Sequence, residues 1–216
     1  MKNILIIGAG PSISRATAER FGKEGFRVQL IARNEFSLEN ERKRLEKQGI
    51  ECCFVVGDAS DYGSLKSALD QLLQLFGAPD IVLYNASGYI AGDQFELSWD
   101  QIRAMIDINA GGAYNTAKII MPHFEKKKRG TLFFTGGCLS MDGDPEWLSL
   151  CMGKAAMRNF VQALAKKYEN TQIRISQVTI CGVVSPQSKK NNPNIIADVY
   201  WNLWSSEDKL ANEIIH

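Results

Sequence analysis

The sequence predicts an α/β fold, a doubly wound parallel sheet with helices on both faces. Three observations carry this reading. Short runs that are apolar throughout recur along the chain, as strands buried on both faces do. Stretches of helical character separate them, and such strand–helix alternation builds a parallel sheet covered by helices. The length, 216 residues, suits one domain over 1–216 and is short for two.

Each element follows in order. "NILII" (3–7) is the first strand, and "SRATAERFGKEG" is a helix ending at Gly25. "RVQLIA" (27–32) is the second strand, followed by the charged helix "SLENERKRLEKQG". "CCFVVG" (52–57) is the third strand, and "GSLKSALDQLLQLFG" the helix after it. "DIVLYN" (80–85) is the fourth strand, before one long helix over 98–124. "TLFFTG" (131–136) is the fifth, "GKAAMRNFVQALAKKYEN" a helix, and "IRISQVTI" (173–180) the sixth strand. "SPQSKKNNPN" (185–194) is a polar loop, and "IIADVYWNLWSSED" resumes the pattern of a packed helix. Too little chain follows that loop for it to be a domain linker.

Charge and cysteines narrow the function. The 25 Lys and Arg nearly cancel the 24 Asp and Glu, so no basic excess points to nucleic acid. The basic run Lys126 to Arg129 reads as a helix end, where cations complement the dipole. The five cysteines fit no metal-ligand spacing and read as reduced thiols of a cytoplasmic protein. The apolar start is better explained as a buried strand than as a signal peptide, and no run approaches a membrane span. No metal site is expected. His123 reads as a packing residue, and His216, the last residue, is expected to fray.

The first strand runs into "GAGPSIS", Gly8 to Ser14, and then a helix. Glycines here let the backbone approach a phosphate, and the helix N-terminus supplies free N–H groups. Ser12 and Ser14 stand where glycines are usual. At the end of the second strand, a dinucleotide fold selective for NAD carries an acid for the ribose 2′-hydroxyl. Here that place holds Ala32, followed by Arg33. Without a carboxylate, and with a guanidinium beside it, a 2′-phosphate is favoured, so the cofactor expected is NADP.

By this point the sequence resembles the short-chain dehydrogenase/reductase family over nearly its whole length. "GAGPSIS" resembles the family's glycine-rich loop, giving Gly8, Gly10, Ser12 and Ile13. "ARN" (32–34) resembles the NADP-preferring form of the second-strand end. "GDASD" (57–61) resembles the acidic turn beside the adenine, giving Asp58 and Ala59. "YNASG" (84–88) keeps Asn85 and Ala86 of an Asn-Asn-Ala-Gly stretch, and "DINAGGAYN" (107–115) keeps the helix asparagine at Asn109. "TICGVV" (179–184) resembles a Pro-Gly turn, with Cys181 for the proline and Gly182 kept. The resemblance implies a Rossmann-like sheet of about seven strands and hydride transfer between a nicotinamide and a carbonyl or alcohol carbon.

It also implies a catalytic set: a tyrosine that gives the proton, a lysine one helical turn on, a serine that polarises the carbonyl, and an asparagine that supports a water relay. Asn109 and Lys154 are retained. The tyrosine position holds Leu150 and the serine position Gly137, so both groups that would touch the substrate oxygen are absent. Acid catalysis alone contributes about 10²–10⁴, so the double loss is costly. Ser149 and Cys151 flank the empty position, each turned about 100° away on a regular helix. Cys138 and Ser140 lie beside the empty serine position, the resemblance places Tyr89 in a loop bordering the cleft, and each of the five is either a replacement acid or loop and core filler.

Two readings follow. One is an NADP-dependent oxidoreductase with another proton donor, acting on a small molecule. The other is a catalytically inactive nucleotide-binding sensor or assembly subunit. A short lid after the sixth strand implies an open cleft, or one closed by a partner chain. A homodimer or homotetramer is expected, because helices 98–124 and 152–168 carry Ile102, Met105, Ile106, Ile119 and Ile120, and Met157, Phe160, Val161 and Leu164, beyond one face.

Overall fold

A computed structural model describes residues 1–206 and 212–216. Seven parallel strands form one sheet in the order β3-β2-β1-β4-β5-β6-β7. They are β1 (Asn3–Ile7), β2 (Arg27–Ala32), β3 (Cys52–Val56), β4 (Ile81–Tyr84), β5 (Gly130–Gly137), β6 (Ile173–Ile180) and β7 (Glu213–Ile215). The helices are α1 (Ile13–Lys23), α2 (Glu35–Glu46), α3 (Tyr62–Phe76), α4 (Trp99–Ile106), α5 (Gly112–Lys127), α6 (Leu148–Tyr168) and α7 (Pro193–Ser205). The expected α/β sheet of about seven strands is therefore found. Its order reverses between β1 and β4, the crevice where doubly wound sheets bind ligands.

Alternation along the strands builds two cores. Leu5 and Ile7 of β1 face α3, α5 and α6, with Tyr84, Phe134 and Met157. Ile4 and Ile6 face α1, α2 and α7, with Phe21, Phe133 and Tyr200. Each such side chain stabilises the fold by about 1.5–3 kcal/mol through burial. Continuous burial of β1 on both faces is why "NILII" contains no polar alternation.

The structure departs from the sequence reading in four places. The helix expected over 98–124 is divided, because a π-helical turn, Asp107–Gly111, separates α4 from α5. The helix after β5 begins at Leu148, so Leu150 lies in its first turn, one turn ahead of Lys154. β7 is a three-residue strand with no separate signal in the sequence. His216 is not frayed: its N–H donates to Thr179 O at 2.8 Å, and its carbonyl accepts from Cys181 N–H at 2.8 Å. The last residues of the helix expected after 195, 207 and 208, lie outside the described residues. The basic run lies at the C-terminal end of α5, where Lys127 Nζ donates to Ala78 O, Pro79 O and Asp80 Oδ1 of the neighbouring loop, and Lys128 ends the helix in the left-handed region, φ 56°.

Candidate functional site at the strand ends

The turn from β1 into α1 is held to its neighbours by backbone contacts. Gly8 sits at φ +86°, and a Cβ there would lie 2.3 Å from Ala86 N. Only glycine combines that dihedral with so close an approach. Asn85 Nδ2 donates to Gly8 O at 3.2 Å, tying the turn to the end of β4. Ser14 is buried and folds the loop from within. Its Oγ accepts from Gly10 N–H at 2.8 Å and donates to Gly10 O at 2.9 Å. Gly10 is thereby engaged behind the rim, and it lines neither of the two clefts described next. Ser12 precedes α1 with no side-chain cap, so its hydroxyl and the first N–H groups of the helix open onto the cleft.

Two connected depressions share Asn85 and Ser87. The smaller, about 250 Å³, brings together Gly8, Arg33, Asp58, Ala59 and Ala86. Arg33 is exposed and in no ion pair among the described residues. Asp58 is spent on its own turn, with Oδ1 accepting from Ser60 N–H at 2.8 Å and Ser60 Oγ at 2.6 Å. The larger cleft, about 900 Å³, holds Ser12, Ile13, Lys154 and Gly182, together with Gly137 and Leu150. These two depressions thus unite most of the residues singled out in the sequence.

Asn109 stands in the π-turn and is fully buried. Its Nδ2 donates to Gly88 O and Met105 O, both at 2.8 Å, and its Oδ1 accepts from Ser87 Oγ at 2.8 Å. The Met105 carbonyl thus accepts a side-chain bond at a π-turn, an irregularity frequent at functional sites. Asn109 lines neither cleft; it braces the 87–88 loop that does, and packs beneath α6, where a Cβ on Gly153 would lie 2.7 Å from its own.

Lys154 projects from α6 into the larger cleft, and its Nζ donates to Thr135 O at 3.0 Å. Thr135 Oγ1 bonds Asn85 Oδ1 and the Tyr200 hydroxyl, each at 2.8 Å, so the lysine rests on a chain crossing the sheet. Among the described residues no carboxylate pairs with the amine, and burial draws its pKa down to about 8. An unfolded lysine holds its proton to about pH 10.4, so the unfolded chain binds more protons between these values. Folding stability tied to Lys154 is therefore complete above about pH 10.4 and lost as pH falls through about 8. Lys154→Met is expected to raise stability near pH 7 by on the order of 3 kcal/mol over wild type, the gap closing towards pH 10.4. Denaturant unfolding across that range tests it, and a gap independent of pH would refute the coupling.

Leu150 and Gly137 both line this cleft, where the resemblance implies a tyrosine and a serine. The neighbours that could replace them divide clearly. Ser149 is buried, its Oγ donating to Gln94 Oε1 at 2.9 Å, and Cys151 is buried against Asp144. Both point out of the cleft, as helix geometry requires. Ser140 Oγ is buried without a hydrogen-bond partner among the described residues and does not line the cleft. Tyr89 does line it, edge-on to Trp147 with ring centroids 5.0 Å apart.

Comparison with known proteins decides the family. A family model described as short chain dehydrogenase matches residues 2–195. The chain belongs to the short-chain dehydrogenase family. A glucose 1-dehydrogenase of Gluconobacter oxydans is 27% identical over 187 residues, covering 86% of this chain and 70% of that protein. An uncharacterized oxidoreductase of Bacillus subtilis is 27% identical over 179 residues, 82% of this chain but only 61% of that protein. The fold is shared with a metagenomic short-chain oxidoreductase in complex with NADP, at a TM-score of 0.90, 21% identity and coverage of 100% and 96% of the two chains. Members of this family bind nicotinamide cofactors.

Sequence reasoning missed three features of the site. The Tyr89–Trp147 pair comes from a loop and a 3₁₀ turn, Pro145–Trp147, that have no periodic signature. The Thr135–Tyr200 bond joins residues 65 apart across the sheet. The expectation of five reduced thiols is corrected for two: Cys138 and Cys181 are joined as a disulfide, 43 residues apart in sequence. Their pairing follows from the alignment of β5 with β6, which no spacing reveals.

Proposed function

We propose that the chain binds NADP and that its hydride-transfer end lacks the family's proton chemistry. The observation that carries this is the asymmetry of the cleft. The nucleotide half keeps the tight Gly8 turn, the open Ser12 hydroxyl, an exposed Arg33 in no ion pair among the described residues, and Lys154. The substrate half offers an aliphatic side chain at 150 and a bare backbone at 137. In the proposed complex Gly8, Ser12 and Ile13 hold the pyrophosphate, Arg33 the 2′-phosphate, and Asp58 and Ala59 flank the adenine. Asn85, Ala86, Lys154 and Gly182 hold the nicotinamide end. When bound, the cofactor would supply a hydride. The chain's own residues would position it and exclude water.

The test is a titration of NADPH and NADH into wild type and Arg33→Ala. A charge-assisted pair is worth about 1.5–3 kcal/mol, so the substitution is expected to weaken NADPH roughly 10–100-fold and leave NADH unchanged. Equal affinity of wild type for the two cofactors would sink the proposal.

Tyr89 favours a second reading, an oxidoreductase acting on a small molecule through that phenol, because it is the one tyrosine lining the larger cleft. The first reading makes the protein a sensor or an assembly subunit. A cytoplasmic setting is part of either proposal. No helix among the described residues is long and apolar enough to cross a membrane. We also propose a homodimer or homotetramer. Ile119, Ile120, Met157 and Val161 are buried within the chain, so the supporting surface is narrower than the sequence implied. It consists of half-buried Ile102, Met105, Ile106, Phe160 and Leu164 with the exposed rings of Trp99 and Tyr114. Light scattering showing a monomer at micromolar concentration would reject it.

A further inference from the structure

Strands β5 and β6 run in parallel register, with Gly137 opposite Ile180. The next residues, Cys138 and Cys181, are therefore opposite as well. Their Cα atoms stand 4.9 Å apart, within the roughly 4.4–6.8 Å that a disulfide spans without backbone movement. Both are only partly buried, and Cys138 lines the larger cleft. The other three cysteines are not so placed. Burial pushes the Cys52 thiol up to about 12 and the Cys53 thiol up to about 11, and Cys151 is enclosed beside Asp144. Exposure to solvent and a partner within reach single out one pair.

The pair also sits at a joint. Cys138 opens the 3₁₀ turn Cys138–Ser140, which leaves β5 along the cleft wall. Cys181 leads into Gly182, at φ +105°, and so into the segment 181–192. Among the described residues that segment closes mainly on itself, Asn191 Nδ2 donating to Cys181 O at 2.7 Å and Ser185 N–H to Asn191 O at 3.1 Å, while His216 ties it to the chain beyond β7, accepting from Cys181 N–H at 2.8 Å and meeting Lys190 O with its ring at 3.0 Å. A covalent bond at its root would therefore determine how firmly Gly182 and Val183 stay against the cleft.

We propose that Cys138 and Cys181 are a reversible dithiol–disulfide site that pins the 181–192 segment to the end of β5 when oxidised and releases it when reduced. The oxidant is a small-molecule disulfide of the glutathione class. The Cys138 thiolate attacks one of its sulfurs, forming a mixed disulfide and expelling one thiolate. The Cys181 thiolate then attacks Cys138 Sγ, closing the internal bond and expelling the second. Two electrons pass from the cysteine pair to the small disulfide, and the two protons lost by the cysteines go to the expelled thiolates. Excess small thiol runs the exchange backwards. The inference stands apart from the cofactor reading, since neither step involves a nucleotide.

The experiment equilibrates the full chain in mixtures of oxidised and reduced glutathione, followed by intact mass, peptide mapping and hydrogen exchange. The expected result is an internal Cys138–Cys181 bond, seen as the loss of two hydrogens and reversed by dithiothreitol. Amides of 181–192 should exchange faster in the reduced protein, and the melting temperature should rise by about 5–10 °C on oxidation. Cys138→Ser and Cys181→Ser should each fix exchange at the reduced rate under all conditions. Should either fail to fold, wild type with and without dithiothreitol carries the same comparison. Persistent glutathione adducts on the two cysteines, a bond to Cys52, Cys53 or Cys151 instead, or identical exchange of 181–192 in both states would overturn the proposal.

Discussion

Gly137→Ser combined with Leu150→Tyr is expected to raise ketone reduction with NADPH by about 10²–10⁴ over wild type, whose own rate should be negligible. The reason lies in what the cleft already contains. Lys154 is one turn beyond position 150 on α6, buried, with its pKa drawn down to about 8. A phenol placed at 150 would stand one helical turn from that amine, whose positive charge below about pH 8 favours the phenolate. A hydroxyl at 137 is sterically accommodated, because a Cβ there approaches nothing nearer than Ile180 O at 3.8 Å. Together the two groups would give a developing alkoxide the side-chain donors it lacks. The assay is cofactor oxidation over a panel of ketones for wild type, both single variants and the double. Brisk wild-type reduction would contradict the expectation, and its loss in Tyr89→Phe would place the acid on that residue.

Gly8→Ala should be the most damaging single-methyl change at the nucleotide end. It adds an atom 2.3 Å from Ala86 N and forces φ +86° on a residue that avoids it. Backbone strain of about 1–3 kcal/mol adds to overpacking of about 1–3 kcal/mol. The expected loss is roughly 2–6 kcal/mol by denaturant unfolding, with nucleotide binding lost too. Gly10→Ala is the control, since a Cβ there meets nothing within 4 Å. If the two variants unfold at the same denaturant concentration, the close approach of β1 to β4 is not what requires glycine.

How much of this could be read in the sequence depended on the range of the interaction responsible. Strands β1, β2 and β4 announce themselves because both faces are buried, so every residue of "NILII" or "IVLY" must be apolar or paired. Gly8, Arg33 and Lys154 are legible because each is placed by the strand end or helix turn beside it. β7 is not, because its three residues, paired with β6, draw their order from that neighbour. The Cys138–Cys181 contact is set by strand register, and the Thr135–Tyr200 bond by the packing of α7 on the sheet. Ser14 was legible as a departure from glycine, but its bonding of Gly10 from inside the loop is a tertiary fact.

The π-turn at Asp107–Gly111 changes what a helical wheel means for this segment. Each residue advances an α-helix by about 100°, and a π-turn takes in one extra residue before the axis resumes. The stripes of α4 and α5 are therefore out of phase by about that angle. A single wheel drawn over 98–124 spreads their apolar residues around the circumference and makes the helix look greasy on several sides. Drawn separately, Ile119 and Ile120 fall inward against the sheet, while Ile102, Met105 and Ile106 only graze their neighbours. The inserted residue acts as a gear offset: it lets α4 face α6 and α5 face α3, with Asn109 at the step between them.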